Sequence, residues 1–166
     1  WHGSKFEKID KLKNDHSGKA GERFIANLCK TFSIPHFYDE DINSLDGTYD
    51  ITIMGKKVEI KTARLGKQGC WQHENLKNQG CDYYLLLDIT PEKFYITVLD
   101  GIKTDLTKKI EYLNKKAHLR DATTGVFKLD FSKNTMKLAQ ECGVAICVDQ
   151  KTPEEHVKFF LQSKIC

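Results

Sequence analysis

Residues 48–62 read Thr48-Tyr49-Asp50-Ile51-Thr52-Ile53-Met54-Gly55-Lys56-Lys57-Val58-Glu59-Ile60-Lys61-Thr62, and the fold turns on how this stretch is read. Apolar and polar residues alternate as far as Met54 and again from Lys57, and Met54-Gly55-Lys56 between them has the composition of a tight turn, so the stretch predicts a β-hairpin. Successive side chains of a strand point to opposite faces. With Ile51, Ile53, Val58 and Ile60 turned toward a core, Asp50, Glu59 and Lys61 must project together from the other face.

Upstream, Phe24, Ile25, Leu28, Cys29 and Phe32 recur at helical spacing, which predicts an amphipathic helix over residues 17–32 that ends near Pro35. Glu22 precedes Ile25 by three positions and Cys29 by seven, so its carboxylate belongs on or beside the core-facing side. Downstream, the run Tyr83-Tyr84-Leu85-Leu86-Leu87 within residues 82–90 has the unbroken apolar character of a strand buried on both faces. A turn at Pro91-Glu92-Lys93 leads to a further strand over 94–99, and residues 73–78 are a short helical candidate between hairpin and central strand. The last third is read as a Lys-rich helix over 104–116, a turn at Thr123-Thr124-Gly125, a strand over 126–131, and apolar or helical segments to the end.

At 166 residues, with 30% charged and 40% hydrophobic side chains, the chain is expected to form one folded domain with a single core and no disulfide or zinc staple. A formal charge of +3, from 26 Lys and Arg against 23 Asp and Glu, does not by itself identify a polyanion partner. Its distribution is more informative: Asp39, Glu40, Asp41 and Asp46 precede Lys56, Lys57, Lys61, Arg64 and Lys67, which suggests a cation site facing a phosphate. The six cysteines include no CxxC pair and are read as reduced thiols, which together with the absence of a membrane-length apolar run or a signal-peptide core points to a soluble, cytoplasmic protein.

Two carboxylates on neighbouring strands can share a hard divalent cation such as Mg²⁺, and the carbonyl of Ile60 offers a third oxygen. Cutting a phosphodiester requires an activated water, charge relief on the phosphate and help for the leaving oxygen, to all of which a bound metal contributes. Lys61, on the face of Glu59, is placed to orient or deprotonate the water or to hold the scissile phosphate.

Gly47-Thr48-Tyr49-Asp50 followed by Val58-Glu59-Ile60-Lys61 resembles the motif of the PD-(D/E)XK nuclease superfamily, which includes type II restriction endonucleases and archaeal Holliday-junction resolvases. The resemblance implies an α/β restriction-endonuclease-like core, a central mixed sheet flanked by helices, and Mg²⁺-dependent hydrolysis of DNA to a 5′-phosphate and a 3′-hydroxyl, with Mn²⁺ as a substitute metal. Gly21-Glu22-Arg23 resembles the helix that in many members places a Glu beside the metal, and the layout through Thr62-Ala63-Arg64, Trp71-Gln72-His73 and Cys81-Asp82-Tyr83-Tyr84 is similar to restriction-endonuclease-like proteins, covering residues 17–100. Tyr49 stands where the motif has proline, a position the family leaves loose. By this resemblance Asp50, Glu59, Glu22 and the Ile60 carbonyl serve the metal, and Asp50, Glu59, Lys61, Glu22 and Gln72 serve catalysis.

Each signal also has a plainer reading. Asp50, Glu59 and Lys61 could form an exposed cross-strand ion pair worth about 0.2–1 kcal/mol, and Glu22 could simply favour the positive end of its helix. Trp71, Gln72 and His73 follow the loop Leu65-Gly66-Lys67-Gln68-Gly69, and with Arg64 and Lys67 they are candidates to contact DNA; the alternative is a Trp71 that caps the core and a His73 that starts a helix. His118 and Arg120, beside Lys115 and Lys116, are read as a solvated helix end before phosphate contacts, and Asp39-Glu40-Asp41 as a strand edge before a metal site. The expectation is therefore an endonuclease on double-stranded DNA, restriction-type first and junction-resolving second, working as a homodimer with two sites for two strands. The rival class is a DNA-binding or protein-interaction module on the same fold that does not cut.

Overall fold

The computed structural model describes residues 1–12, 14–39, 49–77, 80–100, 118–123 and 126–166. The helix expected over 104–116, the acidic residues Glu40, Asp41 and Asp46, the pair Gly47-Thr48 and the turn at Thr124-Gly125 lie outside the described residues, as do the side chains of His118 and Arg120.

The hairpin is formed by β2 (Ile51–Ile53) and β3 (Lys56–Arg64), paired antiparallel with Ile51 opposite Val58. Met54 and Gly55 both have positive φ, 50° and 78°, the left-handed pair that matches a two-residue turn to the twist of its strands. The edge strand β1 (His36–Phe37) pairs with β2. On its other side β3 pairs in parallel with β5 (Tyr83–Ile89), which is followed outward by antiparallel β6 (Phe94–Asp100) and β9 (Ala145–Val148). The result is a mixed six-stranded central sheet in the order β1-β2-β3-β5-β6-β9.

Both faces of this sheet are covered. Helix α2 (Asn14–Thr31) and the last helix, here α4 (Glu154–Lys164), bury Ile25, Cys29, Phe160 and Leu161 against Ile51, Ile53, Val58, Ile60, Leu85 and Leu87. The opposite face carries a second sheet, β4 (Cys70–Lys77), β8 (Val126–Ser132) and β7 (His118–Thr123), together with α3 (Lys133–Glu141). These bring Trp71, Leu76, Leu129, Phe131 and Met136 onto Ala63, Tyr84 and Leu86. The unbroken apolar run of β5 thus serves two cores, each fully buried Leu or Ile contributing about 1.5–3 kcal/mol. A short helix α1 (Glu7–Asp10) lies near the start of the chain.

Helix α2 ends as expected before Pro35: Ser33 takes the left-handed conformation (φ 54°), and the N–H groups of Ser33 and Ile34 return to the carbonyls of Lys30 and Cys29 at 3.2 and 2.9 Å. Its approach to β3 is close, because a Cβ at Gly21 would overlap Thr62 Oγ1. Gly21→Ala should therefore destabilise the fold by about 1–3 kcal/mol despite the better helix propensity of alanine, measurable as a lower urea midpoint. An unchanged or raised midpoint would mean that the helix moves freely away from β3.

The helical candidate over 73–78 is a correction. Residues 70–77 form strand β4, with Trp71 and His73 buried and Gln72 and Glu74 exposed. A bulge between His73 and Leu76, with Asn75 at φ 58°, resets the alternation so that Leu76 is buried again. The irregular step gives a three-residue spacing that imitates a helix.

Candidate functional site

β2 is only three residues long, so its pairing with β3 ends at Val58, and the backbone of β3 beyond that point needs another partner. Asp50 supplies it. Its N–H donates to the Val58 carbonyl at 3.0 Å, and its carboxylate Oδ2 accepts the Ile60 N–H at 2.7 Å. Because the N–H and C=O of one strand residue point the same way, the Ile60 carbonyl also faces this edge.

Here a cleft of about 660 Å³ opens between β3, β4, the loop joining them and the first turns of α2. Glu22, Asp50, Ile60 and Lys61 stand along it, as do Arg64, Lys67 and Gln72. Glu59 is not on the cleft wall itself; its Oε1 lies 2.5 Å from Lys61 Nζ, and both side chains are largely buried. Glu22 arrives from α2, only 8% exposed, its Oε2 accepting from Lys19 Nζ at 3.0 Å and from the Tyr38 hydroxyl at 3.3 Å. Burial, followed by the negative charge of Glu59 and with a further contribution from Glu22, pushes the Asp50 carboxyl up to about 7, against the opposing pull of the Ile60 N–H and Lys61. Among the described residues no three His, Cys, Asp or Glu side chains form a group that could hold a metal ion as they stand.

The expected DNA contacts divide. Lys67 is exposed on the cleft, in the loop where Gly66 and Gly69 close a turn onto Cys70. Gln72 is exposed there too, its Nε2 donating to Asp130 Oδ1 at 3.2 Å. Arg64 lines the cleft, but its Nη1 donates to the carbonyls of Ile9, Asp10 and Leu12 at 3.1, 2.5 and 3.1 Å and so fastens α1 to β3.

Trp71 is turned inward, and His73, although it borders the cleft, has its ring buried. The Trp71 ring is 1% exposed, packs edge-on to Tyr95 with centroids 5.6 Å apart, and donates its Nε1 proton to the Ile89 carbonyl at 3.1 Å, leaving no face for a base. The His73 side chain is fully buried, its Nε2 lying 2.8 Å from Asp88 Oδ1. Strand alternation turns both residues onto the central sheet, where they link the two layers.

Asp88 was missed as a partner, although it is the one acid within the apolar run of β5 and that was a readable signal. Ser17 and Gly18 of α2 also stand on the cleft, as does Thr62, and nothing local distinguishes them. Cys29 and Cys81 pack into the two cores, and burial pushes each thiol up to about 11. Among the described residues no helix is long and apolar enough to cross a membrane. Set beside family models, curated proteins and solved structures, the chain matches none of them.

Proposed function

We propose that the chain is a divalent-metal-dependent endonuclease acting on double-stranded DNA. The observation that carries this reading is the gathering of Asp50, Glu22, the Ile60 carbonyl and Lys61 at the edge of β3 beyond its pairing with β2, with Glu59 on Lys61, along one cleft that also presents Lys67 and Gln72. An exposed ion pair on a hairpin explains neither the buried carboxylates nor the raised Asp50, since like charges are held together there without full compensation.

The donor set suits Mg²⁺ with Mn²⁺ as substitute: Asp50 and the Ile60 carbonyl offer oxygens on the cleft, Glu59 beside Lys61 and Glu22 add negative charge, and Mg²⁺ usually keeps several waters in place of protein ligands. When bound, such an ion supplies Lewis-acid relief of phosphate charge and lowers the pKa of the attacking water. Glu59 holds the Lys61 ammonium, whose other N–H groups are then free to orient the water or to grip the scissile phosphate. Hydrolysis breaks the bond between phosphorus and the 3′ oxygen as the water oxygen attaches, leaving a 5′-phosphate and a 3′-hydroxyl. Lys67 and Gln72 bind the backbone beside the reacting group.

Incubation of supercoiled plasmid with Mg²⁺ should give nicked or linear product, and EDTA should stop it; failure to cut with Mg²⁺ and with Mn²⁺ would favour a module that binds without cutting. Discrete plasmid bands support a restriction-type enzyme acting as a homodimer, whereas selective cleavage of a synthetic four-way junction supports a resolvase. Lys61→Ala should lower turnover by about 10²–10³-fold while the Kd for DNA changes only a few-fold. Equal losses in binding and turnover would remove Lys61 from the chemistry.

A further inference from the structure

Next to the polar cleft lies a second, apolar cavity of about 130 Å³, between α1, α2 and the central sheet. Its walls include Phe6, Ile9, Phe24 and Phe94, and it meets the cleft at Ser17 and Thr62, which border both. Phe94 forms edge-to-face pairs with Phe24 and Phe6, with centroids 5.1 and 6.2 Å apart, and Phe24 is 37% exposed, so the slot is open on its side. Thr62 Oγ1 is buried and without a hydrogen-bond partner, a polar atom in an otherwise apolar setting.

The edge of β3 separates the two spaces. Lys61 lines only the cleft, while Thr62, one residue on, turns its side chain against Gly21 of α2 and borders both spaces. A polynucleotide strand with its phosphates along Lys61 and Lys67 would therefore have an aromatic slot one sheet-thickness away. Enzymes that act on nucleic acids place unstacked bases in such slots, where aromatic faces replace the lost stacking.

From this juxtaposition we infer that the Phe24 slot receives one unstacked nucleobase of the strand bound in the neighbouring cleft. The inference rests on the reading of the cleft as a nucleic-acid site, but not on cleavage. It does not require a particular base, since every base offers a ring face.

The test compares two probes in EDTA: a single-stranded thymidylate oligonucleotide, and an oligomer of the same length with abasic deoxyribose phosphates throughout. The wild-type protein should bind the first about 5- to 100-fold more tightly. Phe24→Ala should bring that ratio close to one and leave affinity for the abasic oligomer unchanged, whereas Lys67→Ala should weaken both probes alike. Phe24→Leu, which keeps apolar volume without a flat ring, should behave as Phe24→Ala does and guards against loss of the fold. Equal affinity of the wild type for both probes, or binding of neither, overturns the slot, and so does a parallel loss of both affinities in the Phe24 variants. Mg²⁺-dependent plasmid cutting, scored separately, decides the nuclease reading: cutting with base-independent binding sinks the slot alone, and base-dependent binding without cutting sinks the nuclease alone.

Discussion

Asp50→Asn should lower Mg²⁺-dependent plasmid cutting by about 10³-fold or more, about 4 kcal/mol of lost transition-state stabilisation, while the protein becomes no less stable. The two halves of this prediction have one cause. Asp50 is held among Glu59 and Glu22 with its carboxyl raised to about 7, so its ionised form is a burden on the metal-free fold. The sign follows from linkage: a carboxyl whose folded pKa exceeds its unfolded value binds protons more tightly when folded, so stability falls as pH rises from about 4 to about 7 and stays low above that.

Asp50→Asn, which keeps an oxygen to accept the Ile60 N–H, should escape this penalty. It should melt above the wild type at pH 8 and converge with it near pH 4. The distance from the ordinary aspartate range to about 7 bounds the gain at about 4 kcal/mol; relaxation and solvent should leave about 1–3 kcal/mol, or roughly 3–8 °C in Tm for a chain of this size. Mg²⁺ should reverse the order by stabilising only the wild type, about 2.7 kcal/mol at a concentration 100 times Kd. A variant that melts lower than the wild type at pH 8 would show that Asp50 serves the fold. One that keeps cutting would remove it from the site.

Trp71→Ala carries the second large effect, and it falls on stability. The ring is almost completely buried between β4, the central sheet and Tyr95, so its deletion should cost about 3–5 kcal/mol and lower Tm by roughly 10–15 °C. Trp71→Phe, which loses the hydrogen bond to Ile89 and some volume, should cost about 1–2 kcal/mol and keep the protein folded for binding assays. DNA affinity of the folded Phe variant should stay within about threefold of the wild type. A stacking platform would give the reverse pattern, an unchanged Tm with a 5- to 150-fold loss of affinity, and that result would return Trp71 to the DNA surface.

The inward turn of Trp71 and His73 is hidden from the sequence for the same reason as the strand character of residues 70–77. Periodicity reports where a side chain points relative to its own element, and in β4 a bulge at Asn75 broke even that signal. What lies over each face is a separate matter. Residues 70–77 pair with 126–132, 49 to 62 positions away, and only that pairing places β4 over the central sheet with Trp71 and His73 inward. Arg64 belongs to the same class: its guanidinium serves carbonyls more than fifty residues upstream, which no local pattern discloses.

Local chemistry by itself determined the hairpin at Gly55, the extent of α2, the two-sided burial of β5 and the common face of Asp50, Glu59 and Lys61, because each follows from a spacing of a few residues between apolar side chains. Tertiary structure decided the rest. It covered the face of Glu59 and Lys61 with a second sheet, ended the pairing of β2 with β3 at Val58, and brought Glu22 and the first turn of α2 to the edge beyond it. These placements depend on which distant surfaces bury one another, an energy shared among residues far apart in the chain and therefore absent from any short stretch of it.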